Sequence, residues 1–404
     1  MNHSSLRLPF LLPLLLAASA PLQAQDSLRQ ALVEGTPSLN FRYRFETVDS
    51  DFAAEQHRAL ASTLRTAFGY RTAPYRNFQA FFEIEDVANV WDDLYNSRVN
   101  GKTSYPSVSD PSGASVNQAY LDYKPSESSL VRVGRQELIY DNARFIGNVG
   151  WRQNHQSLDT IGLTGTPIDD LTLNYAYIAG VNTVIGGNLD ASAHVLNAAY
   201  TLAQHQSLVG YYYHLDLEDA AALSSATTGL RYKGMHAFDD SRELHYVAEY
   251  AKQTDVGDNP NGVNADYYNL ILAPKVHGVD FELALEHLGG SGAAGNKFTT
   301  PLATAHGFNG YADQFVVVPD SGLEDLSVGV GGELAGTACR LTYHMYQSDA
   351  GSIDYGSELN VTLTRRLNEY AVMGLKLAAF SADDAGTGFE DVTKIMFWTS
   401  YAVL

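Results

Sequence analysis

The chain has 404 residues, with 46 Asp and Glu against 26 Lys and Arg and a single cysteine, Cys339. A formal net charge of −20 argues against a nucleic-acid partner. One thiol excludes an intrachain disulfide, so stability has to come from sheet closure or packing.

The N-terminus reads as a secretory signal over residues 1–24. Arg7 supplies a positive start, Leu8–Ala20 is apolar but broken by Pro9 and Pro13, and Leu22-Gln23-Ala24 ends on a small residue suited to cleavage. No cysteine follows it, so no lipid anchor is expected. About 380 residues remain as one expected domain, 25–404. None of its apolar runs is long enough for a membrane helix. Barrels escape that criterion, because they place apolar residues only at every second position.

Alternation dominates from Leu39 onward. Leu39, Phe41, Tyr43 and Phe45 flank Arg42 and Arg44, and Phe78, Phe82 and Ile84 flank Glu83 and Glu85. Val279, Phe281, Leu283 and Leu285 alternate with Asp280, Glu282 and Glu286, and Leu341, Tyr343 and Met345 with Arg340, Thr342 and His344. A period of two puts charges on one face and apolar groups on the other. A soluble sandwich makes the same pattern.

The connections separate the two. Strands are predicted at 39–47, 58–71, 76–86, 116–124, 129–135, 158–164, 170–179, 192–202, 206–215, 225–233, 242–252, 265–273, 279–288, 325–334, 337–346, 356–365, 370–380 and 391–403. Short connections (Thr72–Tyr75, Pro125–Ser128, Gly165–Asp169, Ala203–His205, Pro274–Gly278) alternate with long ones (Val87–Ser115, Gln136–Ser157, Gly289–Glu324). Short turns at one end and long loops at the other, on about 18 strands, are the layout of an all-β, antiparallel up-and-down transmembrane barrel with short periplasmic turns and long extracellular loops. A barrel of that size encloses a lumen. Tyr43, Tyr70, Tyr120, Tyr123, Tyr343 and Tyr401 fall near strand ends, where aromatic girdles belong.

The polar face supplies the candidate path. Arg42, Arg44, Arg65 and Arg132 are its basic members, with Lys376 and Lys394 on neighbouring strands; Glu83, Glu85 and Asp122 are acidic counterparts. Such stripes create a transverse field in a water-filled pore. Guanidinium suits carboxylate passage because it binds carboxylates bidentately and keeps its charge. The acidic loop Asp255–Gly262 is a candidate for calcium, although it lacks alternating Asp/Asn ligands. The histidines form no metal-binding pair, the Gly-rich 329–336 lacks a Walker lysine, and no rim Ser/His/Asp set stands out, so an enzyme is not expected.

Two stretches carry a family resemblance. One is Gly134-Arg135-Gln136-Glu137, Asp141, Arg144-Phe145-Ile146-Gly147, Gly150-Trp151-Arg152-Gln153-Asn154 and Gln156-Ser157-Leu158-Asp159. The other is Ala305-His306-Gly307-Phe308-Asn309-Gly310-Tyr311-Ala312-Asp313-Gln314-Phe315. With the strand layout they resemble the alginate-export family of bacterial outer-membrane channels. The resemblance implies an outer-membrane barrel in a Gram-negative bacterium, inserted by the barrel-assembly machinery among lipid and lipopolysaccharide. It implies passive passage of an anionic saccharide or carboxylate, such as a uronate polymer being exported, without a cofactor. Arg132, Arg135, Arg144 and Arg152, with Arg42, Arg44 and Arg65, match the expected Arg-rich constriction. The family also covers uptake porins for small anionic nutrients; an outer-membrane barrel enzyme is a more distant alternative. Phe145, Ile146 and Trp151 need burial, so the 133–159 stretch is expected to fold inward, with Arg144 and Arg152 reaching the lumen.

Overall fold

A computed structural model describes residues 27–91, 93–383 and 387–403; the expected signal over 1–24 lies outside the described residues. A short helix, α1 (Leu28–Val33), precedes eighteen strands. They are β1 (Thr36–Ser50), β2 (Ala59–Arg71), β3 (Phe78–Asn89), β4 (Gly113–Ser126), β5 (Ser129–Gln136), β6 (Ser157–Ile168), β7 (Leu171–Asn182), β8 (Asn188–Ala203) and β9 (Gln206–Leu215). The second half comprises β10 (Ser225–Asp239), β11 (Arg242–Asp255), β12 (Asn264–Val276), β13 (Val279–Leu288), β14 (Leu323–Leu334), β15 (Thr337–Gln347), β16 (Asp354–Arg366), β17 (Ala371–Ser381) and β18 (Val392–Ala402). Each strand pairs antiparallel with its sequence neighbours, and β1 pairs with β18 to close the barrel.

Burial is inverted relative to a soluble protein. Phe68, Phe82, Leu121, Leu270, Leu283, Val328 and Leu359 are exposed on the outside, whereas Arg44, Glu85, Asp122, Glu286, Asp325 and Glu358 are buried within. Water does not reward that arrangement; a lipid-facing band around a charged interior does.

The strands follow the sequence reading one for one, and depart from it chiefly at their polar ends. β8 begins at Asn188, and β10 continues to Asp239. There the backbone pairing continues beyond the apolar band, where side-chain alternation carries no signal. Tyr120 departs from the girdle expectation. It pairs with Phe81 across β3 and β4, faces inward, and is buried beside Arg71 and Arg132. Tyr123 does stack outside, on Phe78.

Candidate functional site: a lumen constriction latched to its wall

The long connection between β5 and β6 folds into the barrel because its apolar residues have no other place to be buried. The Phe145 ring lies 5.3 Å from Tyr211, 5.2 Å from Tyr267 and 5.9 Å from Phe298. Ile146 bridges Leu302 of the β13–β14 loop, so two inward loops make one body. Backbone bonds join them: Gly147 N donates to Leu302 O (2.8 Å) and Thr304 N to Ala143 O (2.9 Å). Val149 N adds a bond to Thr304 Oγ1 (3.0 Å). Asp141, Ala143 and Val149 all have positive φ; for the β-branched Val149, at 54°, that conformation is held by its surroundings.

β1 grips this body from the wall. Arg42 Nε donates to Gln153 Oε1 (2.9 Å), Nη1 to Gly150 O (2.8 Å), and Nη2 to Arg152 O. Arg44 donates to Trp151 O and pairs with Glu46 (2.9 Å) and with Asp110 of the β3–β4 loop. Arg152 pairs with Glu46 (3.3 Å) and Asp313 (3.2 Å), and Lys394 with Asp313 (2.9 Å). His306 stacks between Trp151 (4.6 Å) and Tyr311 (5.4 Å). The Asp313 carboxylate only accepts, so the His306 proton sits on Nδ1, 2.7 Å from it, and Nε2 faces the Lys376 amine at 3.0 Å.

Burial and the adjacent Lys376 push His306 down to about 3, against the pull of Asp313, so the ring is neutral at ordinary pH. Burial works against the Asp313 charge, but His306, Lys394 and Arg152 outweigh it and hold the carboxyl well below its ordinary range. Arg42, Arg44, Arg152 and Lys394 thus share three carboxylates, Glu46, Asp110 and Asp313, with the Lys376 amine beside them, leaving positive charge in excess.

Across the lumen the balance reverses. Arg144 pairs bidentately with Glu286 (2.9 and 3.0 Å), donates to Asn309 (3.0 Å), and lies over Phe308. Glu358 accepts from the backbone of Tyr311 (2.6 Å) and Ala312 (2.9 Å), and Asp325 contacts His344 (2.9 Å). Arg144 and Arg340 are the two full cations here, facing the buried carboxylates Glu282, Glu286 and Asp325 and the buried carboxyl of Glu358. A transverse field results.

The expected path residues therefore divide. Arg42, Arg44, Arg144 and Arg152 are buried inside the barrel and hold the loops; Arg144 and Arg152 reach the interior, as expected, and end there in ion pairs with Glu286 and Glu46. Arg65 pairs with Glu85 (2.8 Å) and contacts His155 Nε2 (3.0 Å). Glu83 and Glu137 anchor the Asn117 amide at 2.7 and 2.6 Å.

Arg132 and Arg135 lie against open space. A cleft of 250 Å³ is lined by Arg135, Ser112–Asn117, His155 and Asn182–Asn188. A second, of 180 Å³, is lined by Arg132, Leu130, Gln136–Tyr140 and Thr164. The two side chains lie on opposite faces of the sheet: Arg132 has the parity of buried Gln136 and faces Asp122 and Tyr120 within, whereas Arg135, expected on the path, has the parity of exposed Val133 and turns outward beside Asp159. Arg132 binds Asp122 through Nε (2.6 Å) and Nη2 (2.8 Å), and Arg135 binds Asp159 through the same two atoms (2.8 and 3.0 Å). Each guanidinium remains about a quarter exposed, at 25% and 27%.

Arg71 is a cation the sequence reading missed. It lies 4.6 Å over Phe81, donates to the Tyr120 hydroxyl (2.9 Å), and shares Asp122 with Arg132. Its even spacing from Arg65 on one strand is the signal that would have placed it on the lumen face.

Among the described residues, two groups bring three potential metal ligands together, and the 255–262 loop is in neither. In that loop Asn259 donates to Ser224 O (2.7 Å), and a Cβ on Gly257 (φ 58°) would run into Asp216. Glu85, Glu137 and His155 form one group, already occupied by Arg65 and two asparagine amides. His287, Glu324 and Asp349 form the other, on the outer rim; their mixed nitrogen and oxygen donors suit a transition metal better than calcium.

A closed 18-stranded barrel with a lipid-facing band, a charged lumen and inward loops is an outer-membrane channel of the porin type, and not an enzyme. Residues 36–298 match the alginate export family, and the chain belongs to it. Its fold is similar to that of Acinetobacter baumannii OccAB4, at 14% identity and TM-score 0.72 over 95% of this chain and 99% of that one. It is also similar to Pseudomonas aeruginosa OpdL (14%, TM-score 0.69, covering 92% and 99%) and to Pseudomonas aeruginosa OpdK solved with vanillate (12%, TM-score 0.71, covering 92% and 99%). At such identities the likeness is one of fold. No curated protein sequence matches the chain.

Proposed function

We propose that the protein is a passive channel for small carboxylate-bearing solutes, saccharide acids among them. The observation that carries this reading is Arg132, which faces a lumen cleft of the β4–β7 wall and shares Asp122 with Arg71. Its guanidinium spends Nε and Nη2 on Asp122 and keeps further donors, so a passing carboxylate can exchange with that aspartate. Gln136 and Thr164 line the same cleft and offer partners for hydroxyls. The two loops, packed into one body across the lumen, favour small solutes over a polymer. Vanillate, with which the similarly folded OpdK was solved, is itself a carboxylate.

The family's description favours a second reading, export of a uronate polymer. Channel block in planar bilayers distinguishes them. Monouronates and small carboxylates that block as well as long oligomers support the first reading. Block that grows steeply with chain length supports the second. Failure of every carboxylate to alter the current contradicts both.

A further inference from the structure

Helix α1 lies outside the barrel. Ser27 caps it, accepting from Gln30 N at 3.1 Å, and its one buried residue is Ala31, whose carbonyl accepts from Ala73 N (3.0 Å) in the β2–β3 turn. The Tyr70 hydroxyl donates to Leu32 O. The chain then turns into β1 at Gly35, where a Cβ would run into the Tyr70 ring. Tyr70 belongs to the outward face. It stands opposite Phe82 and Pro37 in the sheet, and Phe68 opposite Ile84 and Leu39, whereas the lumen residues Arg65 and Arg71 have the other parity. The helix therefore rests on the outer surface at the short-turn end.

Leu28 and Leu32, four residues apart on one side of α1, are more than half exposed. Ala31 lies on the same side, and the Tyr70–Leu32 bond sets the helix beside the outward face that carries exposed Phe68 and Phe82. Water is a poor partner for two adjacent leucines, and the surface beside them is already committed to lipid. We infer that α1 is an interfacial anchor, lying in the inner leaflet of the outer membrane with Leu28 and Leu32 among the acyl chains. Arg29, exposed on the next position, sits at the level of the headgroup phosphates. The occupant of this face is phospholipid, and the anchor holds the start of β1 at its closing seam with β18.

The test is spin-label accessibility in the full mature chain, reconstituted in phosphatidylethanolamine/phosphatidylglycerol vesicles in a Cys339→Ser background. Leu28→Cys, Leu32→Cys, Gln30→Cys and Phe68→Cys are labelled singly, Phe68 serving as the lipid-facing reference for a folded barrel. Positions 28 and 32 are expected to follow Phe68, with oxygen access exceeding that of a water-soluble nickel chelate several-fold, and position 30 to show the reverse. Nickel access at 28 and 32 equal to that at 30 would overturn the anchor. So would protection from both reagents, which would mean that protein covers the face.

Discussion

Arg144→Ala is the sharpest perturbation of the loop body. Arg144 is tied to Glu286 by two charge-assisted hydrogen bonds, its side chain 4% and the glutamate 0% exposed. Burial lowers the affinity of this guanidinium for its proton, but Glu286 and Tyr267 outweigh that and raise it. Removing one partner of such a pair strands the other, at a cost of about 3–5 kcal/mol. With a factor of ten for each ~1.4 kcal/mol, the ratio of docked to undocked loop falls by roughly two to three and a half orders of magnitude. The barrel ladder is untouched, so heat-modifiable gel mobility should persist. Single-channel recordings should show larger and noisier steps. Arg144→Met with Glu286→Leu, which removes both charges, should return towards the parent conductance. Parent-like steps in Arg144→Ala would refute the assignment of Arg144 to the latch.

Acidification should loosen the same body. The His306 proton affinity is depressed from an ordinary 6.5 to about 3, so its contribution is fully present above pH 6.5 and is lost as pH falls towards 3. Burial opposes the Glu137 charge, but His155, Asn117 and Asn148 hold it at about 2, and its contribution is lost between 4.5 and 2. Thermal midpoints measured from pH 7 to 4 should fall, and His306→Asn should flatten the upper part of that slope; identical slopes would exclude His306 as the cause. Gly134 has φ 126° and a Cβ there would run into Ala119 O, so Gly134→Ala should cost at least ~1–3 kcal/mol in urea unfolding. Gly162→Ala, whose Cβ meets nothing closer than 3.6 Å, should lose far less; equal losses would remove the backbone explanation.

The barrel was legible because lipid-facing alternation is a local signal: Phe41 and Arg42 declare their faces without reference to anything distant. Parity also placed Arg44, Glu85 and Glu286 inside. What those charges touch was not legible. Arg144 meets Glu286 across 142 residues, and Arg152 meets Asp313 across 161, through loops whose path is set by packing of Phe145 and Ile146. Hence the residues that match the family pattern best proved to be loop anchors. Arg132 was placed beside open space in the lumen only by the three-dimensional structure.

Reversal potential across a KCl gradient tests the central claim most directly. The parent channel is predicted to prefer anions, and Arg132→Gln with Arg71→Gln to shift the potential towards cations while heat-modifiable gel mobility shows that the barrel persists. A cation-preferring parent, or a potential indifferent to those two substitutions, would contradict a carboxylate path along this wall.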